Sequence, residues 1–102
     1  MYMGQFKIFS TETFDAWIDG LKDANARTMI FKYIDRMADG NLGNIRHVGD
    51  GVTERKINVG PGYRLYFTQI ENTLLLLLCG GDKSTQQRDI VRAKKLISEL
   101  TL

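Results

Sequence analysis

A chain of 102 residues, 43% hydrophobic and 25% charged, has the length and composition of one folded domain and leaves no room for a second core. Fourteen Lys and Arg against twelve Asp and Glu give a net charge of +2, too small by itself to mark a nucleic-acid protein. One Cys and one His exclude a disulfide framework and a Cys/His zinc cluster, and the apolar run Leu74 to Cys79 is too short to span a membrane. Met1 to Lys7 lacks the apolar stretch of a signal peptide, so the expectation is one soluble cytoplasmic domain over residues 1–102.

Lys7-Ile8-Phe9 reads as a short first strand. Ser10 or Thr11 can cap the helix that follows, with Glu12 and Asp15 near its positive end. Phe14, Trp17, Ile18 and Leu21 recur at i, i+3, i+4, i+7, the spacing of one buried helix face, and Gly20 with Lys22-Asp23 stops that helix early. A second helix begins near Ala24, carries Ala26, Met29, Ile30, Tyr33, Ile34 and Met37 on one stripe, and ends at Asp39-Gly40-Asn41. The two form a helical hairpin. From Ile45 the period becomes alternating: a weak strand Ile45–Val48, a turn at Gly49-Asp50-Gly51, then strands Val52–Val59 and Gly62–Ile70 around the turn Gly60-Pro61-Gly62. Arg55 falls where that period wants an apolar residue, so either its charge snorkels to the edge or a bulge shifts the register. Thr73–Cys79 holds five consecutive leucines, suited to a central strand buried on both faces. Gly80-Gly81-Asp82 breaks the pattern, Ser84 and Gln87 have capping-box spacing, and Ile90, Ala93, Ile97 and Leu100 line the apolar side of a last helix. The fold class that results is α+β, with helices on one face of a mostly antiparallel sheet.

Charge is uneven along the chain. Five basic side chains meet six acidic ones before residue 46, and nine meet six from residue 46 onward, so an anionic ligand should meet the second half. Alternation points Tyr63, Leu65 and Phe67 to the helices and Arg64, Tyr66 and Thr68 to an open face, where Glu54, Lys56 and Asn58 of the preceding strand also point. Lys56, Arg64, the Tyr66 ring, Lys83 and the start of the last helix together can take a nucleotide phosphate with a stacked base. A merely solvated polar face is the simpler alternative. Arg88, Arg92 and Lys95 form a basic stripe with the same two readings, Arg88 being the candidate closest to Lys83. His47 reads as a surface group and Cys79 as core. No phosphate loop, dinucleotide fingerprint, serine elbow or metal motif is present in the sequence.

Glu54-Arg55-Lys56-Ile57, Gly60-Pro61-Gly62-Tyr63-Arg64-Leu65-Tyr66-Phe67, Gly81-Asp82-Lys83-Ser84-Thr85-Gln86, and Asp89-Ile90 with Ala93 resemble one family. It is the addiction-module killer proteins, phage-derived HigB-like toxins within the RelE/ParE superfamily. The resemblance extends over nearly the whole chain and implies a RelE-like domain: an N-terminal strand and helical hairpin on a mostly antiparallel sheet, with a C-terminal helix. It implies the toxin of a type II toxin–antitoxin module, neutralised by a small helix-turn-helix antitoxin. The activity implied is metal-free, ribosome-dependent mRNA cleavage without a cofactor, through attack of a ribose 2′-OH on the adjacent phosphorus. Position by position, Arg64 resembles the arginine that clamps the scissile phosphate, and Lys83 the basic residue that stabilises charge or protonates the leaving oxygen. Lys56 resembles a second basic position for the RNA backbone, and Tyr66 and Arg88 are further RNA-binding candidates. Asp89 stands where some relatives have a tyrosine, as a base or as a structural group, and the general base is unassigned. A gyrase poison of the ParE kind and an inactive phage remnant that only binds antitoxin are the alternatives.

Overall fold

The computed structural model describes residues 5–100. Thr11 decides where the first strand stops: its hydroxyl accepts the Phe14 N–H at 3.0 Å and donates to the Leu78 carbonyl at 2.6 Å. Strand β1 (Lys7–Ser10) therefore gives way at once to helix α1 (Glu12–Gly20), whose start is pinned to the sheet through Leu78. Asp23 then accepts the N–H groups of Asn25 and Ala26 and starts α2 (Ala24–Ala38). Four strands follow, β2 (Ile45–Gly49), β3 (Val52–Ile57), β4 (Tyr63–Ile70) and β5 (Leu74–Gly81), then a 3-10 turn (Lys83–Thr85) and α3 (Gln86–Glu99). The sheet order is β1-β5-β4-β3-β2, with β1 parallel to β5 and the other three pairings antiparallel. Among the described residues, no helix is long and apolar enough to cross a membrane.

One face of the sheet follows the sequence reading. Phe14 and Ile18 of α1 and Ala26, Ile30, Ile34 and Met37 of α2 pack on Ile57, Tyr63, Leu65, Phe67, Leu75 and Leu77. The other face departs from it. Helix α3 lies across that face, and Ala93 with Ile90, Leu96 and Ile97 closes over Val52, Tyr66, Leu78 and Cys79. The expectation of helices on one face only is corrected to a sheet sandwiched between α1/α2 and α3. The physical reason was in the chain: consecutive leucines point to both faces in turn, so both faces need an apolar cover. Arg64 and Tyr66 do point away from α1 and α2, but at 5% and 0% exposure they lie under cover instead of on open surface.

A register shift in β5 aims the two sets of side chains. Tyr66 pairs with Cys79 and Phe67 with Leu77, so Leu78 is the extra residue of a β-bulge, and Leu78 and Cys79 both belong to the α3 side. Beyond the bulge, β5 runs through Gly80 and Gly81 where the sequence suggested a break. These glycines are places of close approach, since a Cβ on Gly80 would collide with the Trp17 ring and one on Gly81 with the Asp89 carboxylate. Other boundaries move as well. Strand β3 stops at Ile57, because Val59 N–H bonds back to the Ile57 carbonyl and Gly62 N–H to that of Val59. The capping box is formed by Asp82 and Thr85 around the 3-10 turn, two residues ahead of the expected Ser84 and Gln87. Arg55 needs no bulge: β3 and β4 pair without a shift, and its guanidinium lies 4.9 Å over the Tyr33 ring and donates to the Lys56 carbonyl.

Candidate functional site

The antiparallel pairing of β3 with β4 puts Glu54 opposite Tyr66 and Lys56 opposite Arg64, and pairing of β4 with β5 puts Arg64 opposite Gly81. Helix α3 begins just past that end of β5, so its first turn meets these side chains. Between them is a pocket of about 390 Å³, lined by Asn44, Ile45, Arg46, Glu54, Lys56, Arg64, Gln86 and Gln87. Three cations and one carboxylate thus share its wall.

Glu54 is the hub of this pocket, and it is 4% exposed. Its Oε2 accepts the Tyr66 hydroxyl at 3.1 Å and the Gln86 amide at 2.8 Å, and lies 3.6 Å from Arg64 Nε. Its Oε1 accepts Arg46 Nε at 3.3 Å. Burial alone would raise the carboxyl pKa, but the hydrogen bonds from Gln86 and Arg46, the Arg46 charge and the Tyr66 hydroxyl together hold it below its ordinary value. Arg64 is held from its far end too, Nη1 donating to the Gly62 carbonyl at 2.9 Å, while its buried Nε makes no hydrogen bond. A guanidinium held at two points, with donor capacity left over, suits an oxyanion.

The remaining predicted residues divide by position. Lys56 is exposed and lines the pocket beside Arg64. Lys83 and Arg88 are exposed and line a second, adjoining pocket of about 370 Å³ with Ser84, Thr85, Gln86 and Gln87. A Cβ built on Gly62 would lie 3.6 Å from Arg64 Nη1 and 3.8 Å from Lys83 Cβ, so both side chains approach that glycine. Arg64 therefore stands in the wall of the first pocket and Lys83 in that of the second, on either side of Gly62. Tyr66 is a correction: its ring is part of the core beneath α3, its hydroxyl is spent on Glu54, and burial first, then Glu54, raises its pKa, so the ring is not presented for base stacking. Asp89 resolves as structural, 1% exposed and accepting the Thr85 hydroxyl. His47 stands exposed on edge strand β2, within 3.1 Å of the Thr53 hydroxyl. Burial pushes the Cys79 thiol up to about 12, which leaves it unreactive in the core.

The sequence reading passed over Glu54, Arg46 and Gln86. Glu54 was placed on the correct face as a solvated group. A carboxylate directly across from a tyrosine and two residues from the Lys56–Arg64 pair, hence on the same face, was the available signal. Gln86 had none, because its reach to Glu54 depends on where α3 lands.

Fold and pocket define an α+β domain with a five-stranded mixed sheet between helices and a cation-lined cleft at the start of the last helix. No family model matches the chain. Over 96 residues it is 47% identical to an uncharacterized protein of Haemophilus influenzae, across 94% of this chain and 97% of that one, so the chain belongs to the same family as that protein.

Proposed function

We propose that the protein is the toxin of a type II toxin–antitoxin module, a RelE-like cytoplasmic mRNA endonuclease that acts without a metal, on the ribosome, and is neutralised by a helix-turn-helix antitoxin. The observation that carries this reading is the buried Arg64, held by Glu54 and Gly62 in the wall of a pocket that also takes Lys56 and the start of α3, with Lys83 in the adjoining pocket. A volume of about 390 Å³ is in the range of small-ligand sites and accepts a nucleotide with its phosphate.

In the reaction, the 2′-oxygen attacks phosphorus and loses its proton to a base. The bond from phosphorus to the 5′-oxygen breaks, and that oxygen takes up a proton, leaving a 2′,3′-cyclic phosphate and a 5′-OH. Negative charge builds on the equatorial oxygens, where the fixed guanidinium of Arg64 is worth most because it needs no reorganisation. Lys83, exposed and mobile in its long stem, supplies charge or a proton at the leaving oxygen. Lys56 and Arg88 hold flanking phosphates. Glu54 is a poor base, with both oxygens accepting hydrogen bonds and its pKa lowered, so its part is electrostatic.

Pulse labelling after induction in cells tests this reading. Amino-acid incorporation should stop within minutes while chromosomal DNA stays intact, and Lys83→Ala should restore growth. Broken DNA with continuing translation would instead mark a gyrase poison.

A further inference from the structure

The pocket holds one carboxylate among three cations, and an anion site gains no affinity from a negative charge beside it. Glu54 must therefore do something else there. Its Oε2 faces Arg64 at 3.6 Å, and both side chains are about 95% buried. Without that carboxylate the buried Arg64 charge would lie beside Lys56 and Arg46 with Asp82 as its remaining negative neighbour, and like charges would drive the guanidinium away from the wall. The same oxygen accepts Gln86 from α3 and Tyr66 from β4, so the position of the carboxylate is itself fixed from two elements.

We propose that Glu54 is a positioning residue, which fixes the Arg64 guanidinium in the orientation that meets the transition state and gives up some ground-state affinity for RNA in doing so. The inference rests on the nuclease reading of the same pocket. It carries a signature that a purely structural role lacks. Removing the charge while keeping the shape should strengthen binding of the polyanion and slow the chemical step, so the two effects run in opposite directions.

The charged and polar groups facing Glu54 are Arg46 from β2, Lys56 on its own strand, Arg64 and Tyr66 from β4, and Gln86 from α3, with Asp89 acting on Tyr66 from deeper in that helix. Gln86 supplies the strongest of the hydrogen bonds that keep the carboxylate ionised. Its loss should move the acid limb of the cleavage rate to higher pH.

The experiment compares wild type, Glu54→Gln, Gln86→Leu and Arg64→Ala in two measurements: binding of a short single-stranded RNA methylated at every 2′-oxygen, and single-turnover cleavage of the unmodified RNA on ribosomes. Glu54→Gln should bind the methylated RNA about three- to tenfold tighter and cleave at least about tenfold slower. Gln86→Leu should shift the acid limb up by about half a pH unit or more. Binding and rate that are both unchanged, both reduced, or tighter with undiminished rate overturn the positioning role. Should Glu54→Gln fail to fold, Gln86→Leu decides alone, and an unshifted acid limb overturns the proposal. Arg64→Ala separates the two claims. If it cleaves as wild type does, the nuclease reading of the pocket fails; if it is inactive and Glu54→Gln gives an overturning result, the positioning role alone fails.

Discussion

Arg64 and Lys83 carry the same charge and differ in surroundings, and the difference sets what each substitution should do. Lys83 is exposed on the 3-10 turn, so Lys83→Ala should change stability by no more than about 0.5 kcal/mol. Arg64 is buried with Glu54 and the Gly62 carbonyl as partners, and Arg64→Ala strands part of the Glu54 charge, at a cost of about 1–3 kcal/mol. Urea unfolding measures both. Equal, negligible losses would mean that Arg64 is not held as described. At this scale the sequence singled out Arg64 and Lys83, which line adjoining pockets, and passed over the carboxylate that holds Arg64. A period of two says which face a side chain takes, whereas the pairing of Glu54 with Gln86 crosses thirty-two residues and has no local signal.

Elements decide why the candidate site is a pocket and not an open sheet. Strand alternation, the cap at Thr11 and the helix stripes were legible because each is a local rule, and the structure places those elements where they were expected, with Asp23 as a second cap that the sequence reading took only as the stop of the first helix. The position of α3 was not legible, since the apolar side of a helix does not say which sheet face it will cover. The five leucines held that information, and combining them with the apolar side of α3 would have predicted a sheet covered on both faces. At the end of β5 the Asp89 side chain of α3 lies against the strand, and Gly81 allows it. Gly81→Ala should push a methyl group into the Asp89 carboxylate and force α3 away from the strand, with a stability loss of about 1–3 kcal/mol. Cleavage should fall as well, because Gln86 moves with the helix. A Gly81→Ala protein as stable and as active as wild type would contradict the packing of α3 on β5.

For the whole molecule, an uneven charge distribution, a sheet sandwiched between helices and a pocket where the second half of the chain converges all bear on one claim, that this pocket cleaves RNA. Relatedness to the Haemophilus influenzae protein extends over nearly the full chain, so the same test applies to both. The most direct measurement is the chemistry of the product ends. Ribosomes programmed with an mRNA, mixed with the protein in the presence of EDTA, should yield fragments with 2′,3′-cyclic phosphate and 5′-OH ends. A single 2′-deoxy sugar at the cleavage position should block the cut. The rate should fall about a hundredfold or more in Lys83→Ala, roughly 3 kcal/mol of transition-state stabilisation. Cleavage that survives the 2′-deoxy substitution, that EDTA abolishes, or that persists undiminished in the Arg64→Ala, Lys83→Ala double variant would contradict the account.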